Sequence, residues 1–202
     1  MKLFLNKASP YARLVMVVAA EKRLSKRIEL VWTDPWASEP ALLEVTPFAK
    51  VPVLIAEDGK PIVESTCICD YLDGVGAGPA LLPKTEKARL KVLRKYGLGR
   101  GLIDAAFGVV IEKRYHAGEA QPVLLTRWSA AVERAIAALE HNETLSPGET
   151  EAPDMGDLAI AVALSYMDLR LPAVAWREAA PGLAAWFERM ASRPSMTSTA
   201  PQ

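Results

Sequence analysis

The feature that most constrains the fold is a change of pattern at residues 73–83, a segment with three glycines and two prolines. Before it, short runs of alternating apolar and polar residues are interleaved with helical patterns, and after it only helical patterns remain. This arrangement predicts an α/β domain followed by an all-helical domain. We expect the first domain at residues 1–75, a linker at 76–85 and a helical bundle at 86–202.

The first domain is predicted to have the order β-α-β, loop, β-β-α, which is a thioredoxin-like layout. Its strands are predicted at residues 2–6, 28–32, 51–56 and 61–63. Its helices are predicted at residues 10–22 and 65–72, with a loop at 33–50. The βαβ part requires a parallel strand pair with a right-handed crossover, and Asp58-Gly59 predicts a hairpin between the last two strands.

The second domain is predicted to consist of helices at residues 86–115, 122–139, 157–169 and 181–191. Residues 157–169 are almost all apolar, which is typical of a helix buried on every side. Glycines at positions 97, 99 and 101 are expected to loosen the first of these helices. The tail at residues 193–202 is expected to lie on the surface.

The charge balance narrows the classes of partner. Acidic and basic residues number 24 each, which argues against nucleic acid because phosphate binding needs a basic excess or a basic face. No apolar run approaches the roughly 20 residues that span a bilayer. The apolar stretch at residues 14–20 does not resemble a signal peptide, because charged residues follow it directly. We therefore expect a cytoplasmic protein without a membrane partner.

The two cysteines, Cys67 and Cys69, are separated by one residue. This spacing matches neither a redox C-x-x-C motif nor paired zinc ligands. We expect both to be reduced structural thiols that behave as small buried hydrophobic side chains. The chain has only two histidines, His116 and His141, so we expect no metal site.

Four short motifs follow one another along the chain. They are SPYAR at residues 9–13, PFAKVP at 47–52, Glu64-Ser65, and DMGD at 154–157. With these motifs the chain resembles the glutathione S-transferase superfamily along nearly its whole length, in particular the bacterial members that use a serine. The resemblance implies a thioredoxin-like domain followed by helices, glutathione as co-substrate, no metal cofactor and a homodimer.

Ser9 is expected to cap the helix that begins at Pro10, since serine is a favourable N-cap and proline a favourable first helical residue. A helix N-terminus also favours a bound anion. The resemblance implies that Ser9 is catalytic and donates a hydrogen bond to the glutathione thiolate, which would lower the pKa of the thiol. A purely structural cap is the alternative.

The resemblance also assigns a glutathione-binding set of Lys50, Val51, Pro52, Glu64 and Ser65. Lys50 would bind the glycine carboxylate, and a cis bond before Pro52 would turn the Val51 backbone towards the cysteinyl part of the ligand. Glu64 would bind the ligand ammonium, while Ser65 would cap its helix and bind the α-carboxylate. The alternatives are a solvated lysine, a strand-initiating proline and a plain N-cap.

Three further sets carry less information. The DMGD motif resembles the N-capping motif of the family, with Asp154 in place of the usual serine or threonine and Asp157 reaching back to it. A hydrophobic co-substrate site is assigned to Tyr11, Trp36, Phe107 and Tyr115, for which core or surface packing is the alternative. For Arg100 and Arg114 two interpretations stay open: they assist an anionic substrate, or they belong to a solvated helix face.

The function implied is detoxification by a glutathione transferase, in which the glutathione thiolate attacks a small hydrophobic electrophile. One alternative is a glutathione-dependent peroxidase, isomerase or reductive enzyme on the same fold. Disulfide-exchange members place cysteine where this chain has Ser9, which disfavours thiol transfer. The other alternative is a non-catalytic binding or regulatory protein, because a fold does not determine a function.

Overall fold

The structure is a computed structural model, and it describes residues 1–116, 118, 123–142 and 152–200. The chain forms two compact units. The N-terminal unit comprises Met1–Leu82 together with the segment from Pro194 onward, and the helical unit comprises Pro83–Arg193. Within the described residues, the expected succession of an α/β part and an all-helical part is confirmed. The linker at 76–85 stays a prediction, although these residues contain neither helix nor strand.

The N-terminal unit is built on a four-stranded mixed sheet. Its elements are β1 (Lys2–Leu5), α1 (Pro10–Glu21), a 3₁₀ turn (Ser25–Arg27), β2 (Glu29–Trp32), α2 (Pro40–Leu43), β3 (Val53–Ile55), β4 (Pro61–Val63), α3 (Ser65–Val75) and α9 (Pro194–Thr197). The strand order is β2-β1-β3-β4. Strand β1 is parallel to β2 and antiparallel to β3, and β3 is antiparallel to β4. The predicted parallel pair and hairpin are therefore confirmed.

The helix α2 corrects the prediction of an uninterrupted loop at residues 33–50. Pro40 starts this single turn, and Leu42 is fully buried in a cluster with Phe4 and Val53. Burial of Leu42 against the sheet stabilises this four-residue turn, which its helix propensity alone would not do. Four strand boundaries, in β1, β2 and β3, also shift by one or two residues, which is normal at element ends.

The C-terminal segment also differs from expectation, because it belongs to the N-terminal unit and not to the helical one. Helix α9 packs against α1, and both Ser195 and Met196 are buried. A surface tail was expected because the last ten residues carry no long apolar pattern. The turn is anchored by the buried Met196 side chain together with hydrogen bonds from Arg13 to Met196 and from Ser195 to Glu21.

The glycine- and proline-rich segment after α3 is held by a buried ion pair. Lys22, only 2% exposed, lies 3.0 Å from a carboxylate oxygen of Asp73 and donates hydrogen bonds to the carbonyls of Gly78 and Pro79. The Asp73 carboxylate accepts hydrogen bonds from the backbone N–H groups of residues 81 and 82. The segment is therefore bonded to the end of α1 and is not a loose connection.

The helical unit has the elements α4 (Glu86–Tyr115), α5 (Val123–Glu140), α6 (Met155–Arg170), α7 (Trp176–Ala179) and α8 (Pro181–Ala191). The start predicted for α5, at Pro122, lies outside the described residues. Helix α6 is buried along nearly all its length, as expected. Helix α4 is continuous, so the predicted loosening at its glycines is wrong. At Gly99 the missing side chain instead lets α4 approach the backbone of Ala159 and Ile160 in α6.

The N-terminus of α6 carries the predicted capping box, and a lysine completes it. Asp154 accepts hydrogen bonds from the N–H groups of Gly156 and Asp157, and Asp157 accepts one from the N–H of Asp154. The Lys95 ammonium lies 2.6 Å from Asp154 and 2.7 Å from Asp157. Burial lowers the pKa of Lys95, but the two carboxylates outweigh it, so this pKa is raised overall. None of the described helices is long and apolar enough to cross a membrane.

Candidate functional site

The register of the sheet brings three chain segments to one edge. Phe4, near the end of β1, pairs with Val53 at the start of β3, and Val53 pairs with Val63 at the end of β4. The end of β1, the start of β3 and the end of β4 therefore lie side by side. The candidate residues next to these strand ends are Ser9, Lys50, Val51, Pro52, Glu64 and Ser65.

Ser9 caps α1, as predicted. Its backbone is extended, Pro10 is the first helical residue, and the Ser9 hydroxyl oxygen accepts a hydrogen bond from the N–H of Ala12 at 3.2 Å. The side chain is half-buried. A hydroxyl that accepts one bond still has its own hydrogen to donate. Ser9 can therefore serve the helix and a ligand together.

The segment before β3 presents backbone at the same edge. The Val51–Pro52 peptide bond is cis, as predicted. The ladder of β3 begins at Val53, so the backbone of half-buried Val51 lies outside it. The preceding Ala49 has a φ of 48°, a left-handed conformation that is uncommon outside glycine. Lys50 is exposed.

The start of α3 differs from the prediction. Ser65 was expected to be the N-cap, but the cap position is held by Glu64, whose φ is 69° and whose side chain makes no capping bond. Ser65 is instead the first helical residue. Because Glu64 adopts a positive φ, the chain enters the helix one residue earlier than the serine-cap pattern indicates. Nothing in the sequence signals this, since Glu64 is not glycine.

The Ser65 hydroxyl is the clearest unsatisfied polar group among the candidate residues. The residue is 1% exposed, and its hydroxyl has no hydrogen-bond partner within the part of the chain that the structure describes. A buried hydroxyl without a partner costs free energy, so native structures rarely leave one unless a ligand or water completes it. Its place at a helix N-terminus, beside a non-glycine residue in a strained conformation, is typical of a binding site for an anionic group.

The four aromatic residues assigned to the co-substrate lie in different units. Tyr11 and Trp36 belong to the N-terminal unit, where Tyr11 is half-buried and Trp36 is 52% exposed. Phe107 and Tyr115 lie on α4 of the helical unit, and the Arg114 guanidinium stacks on the Tyr115 ring with 5.6 Å to its centre. A common role for the four stays a prediction.

The two cysteines are both free thiols, but only one is buried. Cys69 lies on the inner face of α3 with Ile68 and Leu72, whereas Cys67 is exposed, which corrects the expectation that both are buried. A spacing of two residues turns the second side chain by about 200° around a helix, so the difference follows from helical geometry. Among the described residues, no group of three or more metal-binding side chains is arranged around a common point.

The molecule thus combines a thioredoxin-like unit, with candidate residues at one sheet edge, and a helical unit. Residues 8–75 match the model of the glutathione S-transferase N-terminal domain, and residues 122–189 match that of the glutathione S-transferase C-terminal domain. Together these matches cover more than half of the chain. The chain belongs to the glutathione S-transferase family.

Relatives of this chain match it over its full length. The chain is 28% identical over 201 residues to the uncharacterized GST-like protein YibF of Escherichia coli K12, covering 100% of this chain and 98% of that protein. A glutathione transferase family member from Pseudomonas fluorescens Pf-5, solved with bound glutathione, shows 35% identity and a TM-score of 0.91, covering 100% and 98%. A glutathione S-transferase from Methylobacillus flagellatus KT, solved with glutathione, shows 32% identity and a TM-score of 0.88, covering 100% and 99%.

Proposed function

We propose that this chain binds glutathione in its N-terminal unit and conjugates the glutathione thiolate to a small hydrophobic electrophile. The observation that carries the proposal is the buried Ser65 hydroxyl at the start of α3, which has no hydrogen-bond partner among the described residues. A ligand carboxylate at this point would accept from the hydroxyl and from the first N–H groups of the helix. The family relation makes glutathione, which has such a carboxylate on its γ-glutamyl end, the ligand of choice.

The remaining contacts follow from the sheet edge. The Glu64 carboxylate binds the ligand ammonium next to Ser65, and the Lys50 ammonium binds the glycine carboxylate at the other end. Between them, the Val51 backbone, which the β3 ladder does not use, pairs with the cysteinyl backbone of the ligand as a short added strand. Affinity therefore comes mainly from the two ends of the peptide.

Ser9 has the chemical role in this proposal. Its hydroxyl donates to the thiol sulfur while its oxygen keeps the bond from Ala12. A hydrogen bond to the thiolate favours the ionised form, so more of the bound thiol is a nucleophile at neutral pH. The sulfur then forms a bond to the electrophilic carbon, and the leaving group departs with the displaced electron pair.

Two relatives that match over their full length were solved with glutathione bound, which supports the same ligand for this chain. Family membership further supports a cytoplasmic homodimer, and both properties belong to the proposal. A serine at position 9 in place of cysteine supports conjugation over disulfide exchange, which needs a second thiol to form a mixed disulfide.

The test combines calorimetry with a conjugation assay. Glutathione is titrated into the wild type, into Ser65→Ala and into Ser25→Ala, a control for an exposed serine of the same unit. Loss of one hydrogen bond to a charged group predicts roughly a 10-fold or greater loss of affinity for Ser65→Ala and no change for Ser25→Ala. Conjugation of a generic aromatic electrophile is then measured on the wild type.

Binding with conjugation supports the proposal. Binding without conjugation, but with peroxide reduction or isomerisation, assigns the chain to the other glutathione-dependent chemistries. An absence of glutathione binding by the folded wild type refutes the proposed function. Equal affinities of wild type and Ser65→Ala refute the role given to Ser65.

A further inference from the structure

Helix α1 contains two charged residues, and both hold α9. An Arg13 guanidinium nitrogen donates a hydrogen bond to the carbonyl of Met196 at 3.2 Å, and the Ser195 hydroxyl donates one to the Glu21 carboxylate at 2.6 Å. The two charged residues are eight positions apart, which is about 12 Å along a helix. A helix of four residues is therefore held at two separate points of α1.

Arg13 occupies an unusual position for an arginine. Its side chain is 8% exposed, and it lies one turn after Ser9, whose carbonyl accepts the N–H of Arg13 at 3.0 Å. Residues four apart share a face of a helix and lie about 6 Å apart along its axis, so Arg13 is on the same face of α1 as Ser9, one turn further along. Burial lowers the pKa of Arg13 to about 10, so it remains charged at neutral pH.

We infer that Arg13 is a positioning residue for the bound thiol: seated on the Met196 carbonyl, its guanidinium places a fixed positive charge in the first turn of α1 and so favours an anion at Ser9. This inference rests on the proposed function, because the anion is the glutathione thiolate.

The Arg13 charge is expected to act on the thiol because solvent screens a buried charge only weakly. A charge that water does not surround acts over a longer distance than an exposed one, and it adds to the partial positive charge of the helix N-terminus. The first turn of α1 has no acidic residue to oppose it. A guanidinium removed from water also gains more from a nearby anion than a hydrated one does.

The charged residues on α3 and on the 3₁₀ turn next to α1 are either paired or exposed. On α3, Asp73 is paired with Lys22, and Asp70 is exposed. In the 3₁₀ turn that follows α1, Lys26 is exposed, and Arg27, itself exposed, forms an ion pair with Glu57. Helix α9 contributes no charged side chain, since it consists of residues 194–197, PSMT.

The experiment measures the ionisation of the bound thiol itself. The ultraviolet absorbance of the glutathione thiolate is followed against pH on saturated wild type, Arg13→Gln, Arg13→Lys and Ser195→Ala. Glutamine keeps a donor for the Met196 carbonyl without the charge, and lysine keeps the charge. Ser195→Ala weakens α9 at its other contact and serves as the matched control for loosening of the segment.

We expect Arg13→Gln to raise the pKa of the bound thiol by about half a unit to one unit, which is roughly a three- to tenfold smaller thiolate fraction below that pKa. Arg13→Lys and Ser195→Ala should retain the wild-type value. A folded Arg13→Gln with an unchanged thiol pKa overturns the inference, and so does an equal rise in Ser195→Ala.

Should Arg13→Gln not fold, the neutral Arg13→Met takes its place, because it also removes the charge. A raised thiol pKa in Arg13→Met supports the inference, and an unchanged pKa overturns it. Failure of the proposed function is distinguishable, because the wild type would then show no bound thiolate before any variant is compared.

Discussion

The Ser9 hydroxyl and the Ala12 N–H are joined by a hydrogen bond of 3.2 Å in which the serine oxygen is the acceptor. The serine is therefore committed to α1 through its oxygen and not through its hydrogen. This division allows one side chain to cap a helix and to donate to a ligand.

Ser9→Ala should lower the conjugation rate more than the affinity for glutathione. Loss of one hydrogen bond to a charged sulfur costs about 1.5–3 kcal/mol, roughly a 10–150-fold slower reaction if fully expressed in the rate. The pH–rate profile at saturating glutathione should move to higher pH. Loss of the cap costs about 1 kcal/mol of stability, so Ser9→Thr, which keeps the hydroxyl, is the control. An unchanged rate and profile would identify Ser9 as a cap only.

Glu64→Gly should stabilise the protein and weaken glutathione binding together. A φ of 69° costs a non-glycine residue about 1–3 kcal/mol, and the greater freedom of glycine in the unfolded chain offsets about 0.5–1 kcal/mol of that gain. Arg23→Gly, at a φ of 57° after α1, should give a similar gain in urea unfolding with no change in affinity. A Glu64→Gly variant that binds glutathione as tightly as the wild type would exclude Glu64 from the site.

Lys95→Met should lower the free energy of unfolding by about 3–5 kcal/mol, because the buried Asp157 carboxylate and the half-buried Asp154 carboxylate would lose their shared cation. Lys2→Met removes an exposed pair of 3.5 Å with Glu29 and should cost less than about 1 kcal/mol. Urea unfolding of both variants measures the difference. Equal small losses would show that the capping box of α6 does not depend on its lysine.

Gly99→Ala should destabilise the helical unit, whereas Gly97→Ala should stabilise it. A Cβ on Gly99 would lie 2.7 Å from the backbone nitrogen of Ile160, and overpacking of this kind costs about 1–3 kcal/mol. A Cβ on Gly97 meets nothing within 4 Å, so the helix gains up to about 1 kcal/mol from alanine. Thermal unfolding compares them, and changes of the same sign would contradict the close approach of α4 and α6.

Alkaline stability should depend on Tyr166. Burial raises the pKa of this phenol to about 12 from its ordinary value of 10.0. The unfolded chain therefore releases the proton first, and stability that is complete below about pH 10 falls by up to about 2.7 kcal/mol as the pH approaches 12. Tyr166→Phe lacks this loss. Parallel stability profiles of the two proteins between about pH 9 and 12 would contradict the assignment.

Elements with strong local signals could be predicted closely. The bounds of β4, α4 and α8 agree with those expected, because a hairpin turn, a long helical period and an N-terminal proline define them. Helix α2 could not be predicted, since a single turn depends on the burial of Leu42 and not on its own propensity. The expected N-cap at Ser65 failed because a positive φ at Glu64 has no signature in a non-glycine residue.

The residues of the candidate site could be predicted from motifs, whereas the buried contacts of the charged residues Lys95 and Arg13 could not. Ser9, Val51 and Ser65 fall at one sheet edge because the strand pattern fixes the register. Lys95 bonds to Asp157, 62 positions away, and Arg13 bonds to Met196, 183 positions away. A sequence pattern shows that a charge is present, but only tertiary packing determines which charges are buried and with what.

The hydrogen bond between Arg13 and Met196 can form only late in the synthesis of the chain. A ribosome that adds about 5–20 residues per second needs on the order of 10–40 s to pass from one residue to the other. Throughout that interval the Met196 carbonyl does not exist, and the guanidinium must stay hydrated or bind elsewhere. The unit that begins at the N-terminus is therefore completed last, after every helix of the other unit has been translated.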